Sequence, residues 1–266
     1  MLLTRYATEI GNAGSPIYQP SPAELAIMAL KPSRWFEART DRGLALDEAG
    51  SVKSWVDRAR GVKYRAIGQN PTTTGTGTFR RVNFNGNAAR AMLADDASDA
   101  FDNPGLFSVA ILSRQTEATF GGAPMGTGGD NANASFAWYN TQTNGAFFFF
   151  TGAKATSSGA ANNDSAYHVH VFSMDLSQGT TAAQSRLRRN GVSVVASPGP
   201  LGPLADMPGG KTMTLGGAGR TGTQNPYNGS LSALIVIPNV ALHLAENAGS
   251  LAVVESYLTG LISQLP

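Results

Sequence analysis

The sequence predicts an all-β sandwich of two antiparallel sheets, preceded by an N-terminal arm and closed by a C-terminal helix. Three observations lead there. Brief apolar segments rich in β-branched and aromatic residues recur between turn signals along most of the 266 residues. Glycine is abundant, at 31 residues, while charged residues make up only 14% of the chain, a balance suited to short strands and tight turns. The last segment changes to helical spacing, with Leu242, Leu244, Leu251, Val254, Leu258 and Leu261 in register.

The elements follow in order. Residues 1–32 read as an arm containing Gly11, Gly14, Pro16 and Pro20, with a helix-compatible stretch from Pro22 to Leu30 that Ser21 caps and Lys31-Pro32 stops. Residues 33–266 read as one sandwich domain including the C-terminal helix, since sandwiches of this size form single cores. Strands are expected at 81–84, 106–112, 134–139, 146–151 and 167–174. A hairpin is expected over 185–195, because Asn190-Gly191 supplies the two positive φ values of a type I′ turn. Further strands are expected at 211–216 and 229–237; the second alternates imperfectly, the pattern of a central strand covered on both faces.

Composition narrows the partners. A formal charge of +2 describes a weakly charged surface and implies no nucleic-acid partner. The absence of cysteine removes disulfides, thiolate metal sites and cysteine nucleophiles. The first residues lack the basic start and apolar run of a signal peptide, and no later run is long enough to cross a bilayer. The expectation is a protein made in the cytosol, without membrane insertion.

Several motifs, in order, carry a family resemblance. Trp35-Phe36-Glu37-Ala38 resembles an opening strand, and the stretch from Trp55 to Ala66 resembles a W-x-D-x-S-G-x-G-x-x-x-A pattern in which Ala59 replaces the serine. Val82 to Gly86 resembles an F-N/D-G strand end, and Arg186 to Val195 a Y-x-N-G hairpin. Leu215-Gly216-Gly217 with Tyr227 to Val236 resembles the closing strands, Ala233 standing where glutamate is frequent, and Val254 to Leu258 a V-E-x-Y-L helix. Together they resemble the concanavalin A-like lectin/laminin-G superfamily, in the variety found in tailed-phage virion proteins. The resemblance implies a jelly-roll sandwich. It also implies a non-catalytic structural or adhesive virion protein, such as a capsid decoration or a tail or fibre-associated part. Such a protein would self-associate, with threefold assembly a natural form, contact other virion proteins through its arm and bind host-surface glycans. A free carbohydrate-binding lectin is the alternative, and a glycoside hydrolase a third reading.

Residue chemistry weighs against catalysis. Retaining glycosidases need paired carboxylates about 5 Å apart; here Asp47-Glu48 and Asp95-Asp96 with Asp99 fall in expected loops, where solvation explains them. His168 and His170 share a strand face, but lacking a clear third ligand they are read as sheet residues, so no metal and no cofactor is assigned. The loop at 126–133 offers oxygen donors to Ca²⁺ but little charge, and a solvated turn is the preferred account. Trp138 or Tyr139, with Asn140 and Gln142, form the preferred glycan platform, an aromatic face against sugar C–H groups beside amides for hydroxyls. Arg186, Arg188 and Arg189 form the densest basic feature. They read either as a charged edge strand resisting aggregation or as an assembly surface pairing with carboxylates of a neighbouring subunit.

Overall fold

The computed structural model describes residues 19–95, 100–101, 105–115, 122–127, 136–140, 147–151, 154–158, 165–197, 213–217 and 226–266. The first eighteen residues of the expected arm lie outside them. The helix assigned to that arm is present at Pro22–Ala29, with proline in its first turn. Ser21 accepts from the Glu24 amide, and the Glu24 carboxylate accepts from the Ser21 amide at 2.8 Å, a complete capping box. Its Ile27 is fully buried, so this helix belongs to the body of the domain.

Two antiparallel sheets form that body. The eight-stranded sheet runs Val192–Ser193, Ser185–Arg189, Tyr167–Asp175, Leu106–Gln115, Gly229–Pro238, Arg81–Asn83 and Thr72–Thr74, and Arg34–Glu37 also pairs with Gly229–Pro238. The ten-stranded sheet runs from Val195–Ser197 at one edge, through Phe147–Thr151, Phe136–Asn140 and Met125–Thr127, to Val52–Val56 and Leu44–Leu46 at the other. The expected all-β sandwich is therefore observed, and every strand pairing described within it is antiparallel.

The long central strands work on both faces. On Leu106–Gln115, Val109 and Ile111 join the core between the sheets, whereas Ala110 and Leu112 join a second core beneath the helices. Gly229–Pro238 divides likewise, Leu234 and Val236 inward, Ala233 and Ile235 outward. Alternation of side chains along a strand makes this division automatic, and it explains why the segment reads as continuously apolar. The outer core is completed by Ile27 of the first helix and by Val254, Leu258 and Leu261 of the C-terminal helix Ala248–Ile262. The molecule is thus three-layered, with helices over one sheet and that sheet over the other. Among the described residues no helix is long and apolar enough to cross a membrane.

Two turns show why their residues were chosen. Asn190 and Gly191 have φ of 50° and 79°, the positive pair that joins Arg189 to Val192 in register. The Asn190 Oδ1 also accepts from the Val169 amide at 2.9 Å, tying the turn to the next strand. At Gly216, with φ 73°, an added Cβ would lie 1.9 Å from Phe84 Cδ1, so the glycine of the Leu-Gly-Gly motif makes room for a core ring.

The short strands Leu44–Leu46, Val52–Val56, Lys63–Ala66, Thr72–Thr74 and Met92–Ala94 escape the apolar-run criterion because they are brief or carry exposed side chains such as Lys53 and Lys63. The strand expected at 211–216 is described as Met213–Leu215, with 211–212 outside the described residues.

Candidate functional site

The most concentrated charge chemistry lies between the helices and the eight-stranded sheet. Glu24 arrives from the capping turn of the first helix, Glu37 from the end of the first strand, and Arg42 and Arg58 from the turns that follow. Arg58 donates to both carboxylates, reaching Glu24 Oε1 at 2.9 Å through one terminal nitrogen and Glu37 Oε1 through the other. Arg42 donates to Glu24 and lies 3.9 Å from Glu37 Oε2. Tyr257, on the C-terminal helix, donates its hydroxyl to Glu37 Oε1. The Arg58 guanidinium stacks 3.8 Å above the Trp35 ring, which contacts Tyr257 edge-on.

Burial, reinforced by the Glu37 charge, pushes the Tyr257 phenol well above its ordinary value, so its proton stays on the hydroxyl that is donated to Glu37. Burial works against the Arg58 charge too, but Glu37 and Glu24 more than offset it and hold the guanidinium ionised. The Glu37 side chain is only 1% exposed. The arrangement is a lock that fastens both terminal helices to the sheet.

Asp57 explains the aspartate of the W-x-D pattern. Its Oδ1 accepts from the amides of Trp35 (2.9 Å) and Ala59 (2.8 Å), and its Oδ2 from Arg60 (3.0 Å) and Val62 (3.3 Å). Gly61, with φ 75°, closes that turn. Burial raises the Asp57 carboxyl above its usual value, against the pull of those backbone donors. The hub aims Arg58 at its two carboxylates while tying the turn to the first strand.

The arginine hairpin is resolved residue by residue. Arg188 forms a forked pair with Glu255 of the C-terminal helix, Nε to Oε1 at 2.7 Å and Nη2 to Oε2 at 3.2 Å, and also donates to the Gly191 carbonyl. Arg188 thus has a carboxylate partner within its own chain. Arg186 pairs opposite Ser173 and is exposed; Arg189, opposite His170, is half-buried. Leu187 between them points into the inter-sheet core.

Of the glycan residues, Trp138, Tyr139 and Asn140 lie on the strand Phe136–Asn140, opposite Phe149, Phe148 and Phe147 in register. Gln142 lies outside the described residues. So do 128–133 of the calcium-candidate loop, while Gly126 and Thr127 belong to the strand Met125–Thr127 and not to a loop. His168 and His170 do share a face, with ring centroids 5.8 Å apart, and His168 Nδ1 meets Asn190 Nδ2 at 3.0 Å. Among the described residues no group of three or more His, Asp or Glu side chains is placed to hold a metal ion. Asp47 spends its carboxylate on the amides of Ala49 and Ser51 and on Asn70, and Asp95 faces Arg65 at 3.2 Å. Asp96 and Asp99 lie outside the described residues.

No family model matches the chain, and no curated protein sequence matches it. Solved structures do match in shape. Trypanosoma rangeli sialidase in complex with 2,3-difluorosialic acid, a covalent intermediate, superposes with TM-score 0.55 at 14% identity, over 98% of this chain and 38% of that chain. The same sialidase in complex with sialic acid gives 0.54 at 12% identity, with 98% and 38% covered. The HCR/D W1238A mutant gives 0.53 at 9% identity, over 87% of this chain and 51% of that one. At these identities the likeness is one of fold: the chain is a β-sandwich of an architecture shared with parts of longer proteins.

Proposed function

We propose that this chain is a non-catalytic recognition domain that binds surface glycans as a structural or adhesive component of a tailed-phage virion. The observation that carries the non-catalytic reading is the state of the interior carboxylates. Glu24 is held by Arg42 and Arg58, Glu37 Oε1 by Arg58 and Tyr257, and Asp57 by four backbone amides. The glycan reading draws on the shape shared with 38% of a sialidase chain. The virion role draws on the sequence resemblance to phage proteins.

Binding to a glycan array, with parallel assay for released sugar, tests the first two components. The expected outcome is saturable binding without hydrolysis, weakened by Trp138→Ala; turnover of any bound glycan would overturn the non-catalytic reading. Mass spectrometry of purified particles, made with the full chain and with residues 1–18 deleted, which leaves the helix Pro22–Ala29 and Glu24 in place, tests the third. Incorporation of the full chain and loss of the truncated one is expected of an arm-anchored virion component. A free lectin, the reading that the sialidase likeness also favours, predicts sugar binding with no chain in the particles.

A further inference from the structure

The two helices over the eight-stranded sheet turn a face without free charge to solvent. The helix Pro22–Ala29 carries one charged residue, Glu24, and the helix Ala248–Ile262 carries one, Glu255. Both are spent inside the chain: Glu24 is buried with Arg42 and Arg58, and Glu255 is held by Arg188. What the first helix exposes is Pro22, Ala23, Leu25 and Ala29, and Leu25 is a large apolar side chain left 48% exposed. The second exposes Gly249, Ala252, Ser256 and Gly260, spaced three and four apart and therefore in one stripe along its length. The helices touch each other over one core, so the two uncharged faces are neighbours. Lys31 and Glu246, both exposed, stand just beyond the helix ends.

The demands of solvation and of packing within the chain do not explain this face. A helix on the surface of a soluble domain ordinarily turns charged and long polar side chains outward, and one that is apolar all round is ordinarily covered. Glycine is also the least favourable helix residue after proline. Among the described residues an added Cβ at Gly249 or Gly260 meets no atom within 4 Å, so neither glycine is required by its own chain. Close approach by a second helical surface does require small residues, because they let the ridges of one helix settle against another. An uncharged centre with charges beyond its rim is the make-up of a protein–protein contact.

We infer that this face docks on the same face of a second copy of the chain, about a two-fold axis. A two-fold contact sets identical groups against one another, and a face without free charge meets its own copy without like-charge repulsion. The longer helix, of 15 residues, is about 22 Å long, and two helices together are about 20 Å wide. Such a face on each copy buries on the order of 1,000 Å² in total, the lower limit of a specific interface, so the dimer is weak and reversible. The strand that carries Trp138 belongs to the other sheet, so pairing and glycan binding are tested separately.

Sedimentation equilibrium of the full chain from about 10 μM to 1 mM reads the contact, and a monomer–dimer equilibrium is expected across that range. Leu25→Glu and Ala252→Glu each set like charges against one another at exposed positions, and each should weaken the dimer about tenfold or more. Lys63→Glu, at an exposed position of the ten-stranded sheet, should leave it unchanged. The chain has no cysteine, so a single introduced thiol reports its own neighbour across the axis. Under mild oxidation at least one of Ala252→Cys, Ser256→Cys and Gly260→Cys should give a covalent dimer, and Lys63→Cys should not. A monomer at every concentration overturns the inference, whether or not it then binds vesicles of zwitterionic lipid, the other surface that accepts an uncharged apolar face. So do a trimer, a dimer indifferent to both glutamates, and a dimer that none of the three helix cysteines cross-links.

Discussion

Two arginine–carboxylate clamps hold the C-terminal helix and its surroundings to the same sheet, and they differ in almost everything but chemistry. At one end Arg58 bridges Glu24 and Glu37 under Trp35 and Tyr257, with side-chain exposures of 6%, 6% and 1%. At the other, Arg188 grips Glu255 at the hairpin edge, with exposures of 25% and 16%. Water decides what each is worth. The half-buried pair keeps contact with solvent, which screens it, and two long side chains are ordered to make it, so it gains less than a fully buried one. In the buried pair each charge has already lost its hydration, so each depends on the others, and removal of any one leaves an uncompensated charge in the interior. The buried clamp determines whether the helices close; the half-buried one trims how they sit.

The largest expected effect follows from breaking the buried clamp. Glu37→Gln should cost about 3–5 kcal/mol in urea unfolding, because Arg58 loses a charged acceptor it cannot replace with water. The comparison is sharpened by a triple replacement, Glu24→Leu with Glu37→Leu and Arg58→Met, which removes the charges together and should recover much of that loss. If the single variant loses under about 1 kcal/mol, the two clamps are energetically alike and the contrast drawn from burial is wrong.

Alkaline titration gives the next effect. The Tyr257 phenol is raised in the folded protein above its unfolded value near 10, so its contribution is fully present below that pH. Above pH 10 the unfolded chain loses the proton first, and stability falls by about 1.4 kcal/mol per pH unit on account of this group. The fall should be shallower by that amount in Tyr257→Phe, measured as the difference between the two unfolding curves at pH 9 and at pH about 11.

A milder dependence is expected in acid. Burial holds His243 below its ordinary value, with Nδ1 2.7 Å from Ser173 Oγ and Nε2 2.7 Å from the Ala183 carbonyl. The unfolded histidine gains its proton first as the pH drops below about 6.5, so stability declines there. His243→Gln should flatten that decline in a series of denaturation midpoints from pH 7.5 to about 5. Smallest of all, Arg188→Gln should cost about 0.2–1 kcal/mol, fading as salt is added. A cost above that range would show the half-buried clamp to be more than trim.

Much of the architecture was legible from the chain. The capping box at Ser21, the Asn190-Gly191 turn, the two-faced strand at 229–238 and the terminal helix each depend on neighbours within a few residues, where propensity and periodicity act. The buried lock was not legible as a lock. Glu37 sits in Arg34-Trp35-Phe36-Glu37, a strand buried along its whole length, and a carboxylate in such a run is a signal for a buried partner that pattern reading passed over. Its partners stand 21 and 220 residues away, at Arg58 and Tyr257. Arg188 shows the reverse case: the sequence supplied the cation, and the fold supplied a carboxylate 67 residues away, at Glu255.

By itself the sequence determined the fold class, the order of its elements and the conformation of its turns, because side-chain alternation, capping and glycine's access to positive φ are local physics. The tertiary structure decided which charges meet and which are left over. That depends on distances closed only when the sheets stack and the helices dock, when burial turns ordinary ionisable residues into an interdependent lock at one site and leaves a half-buried pair at the other.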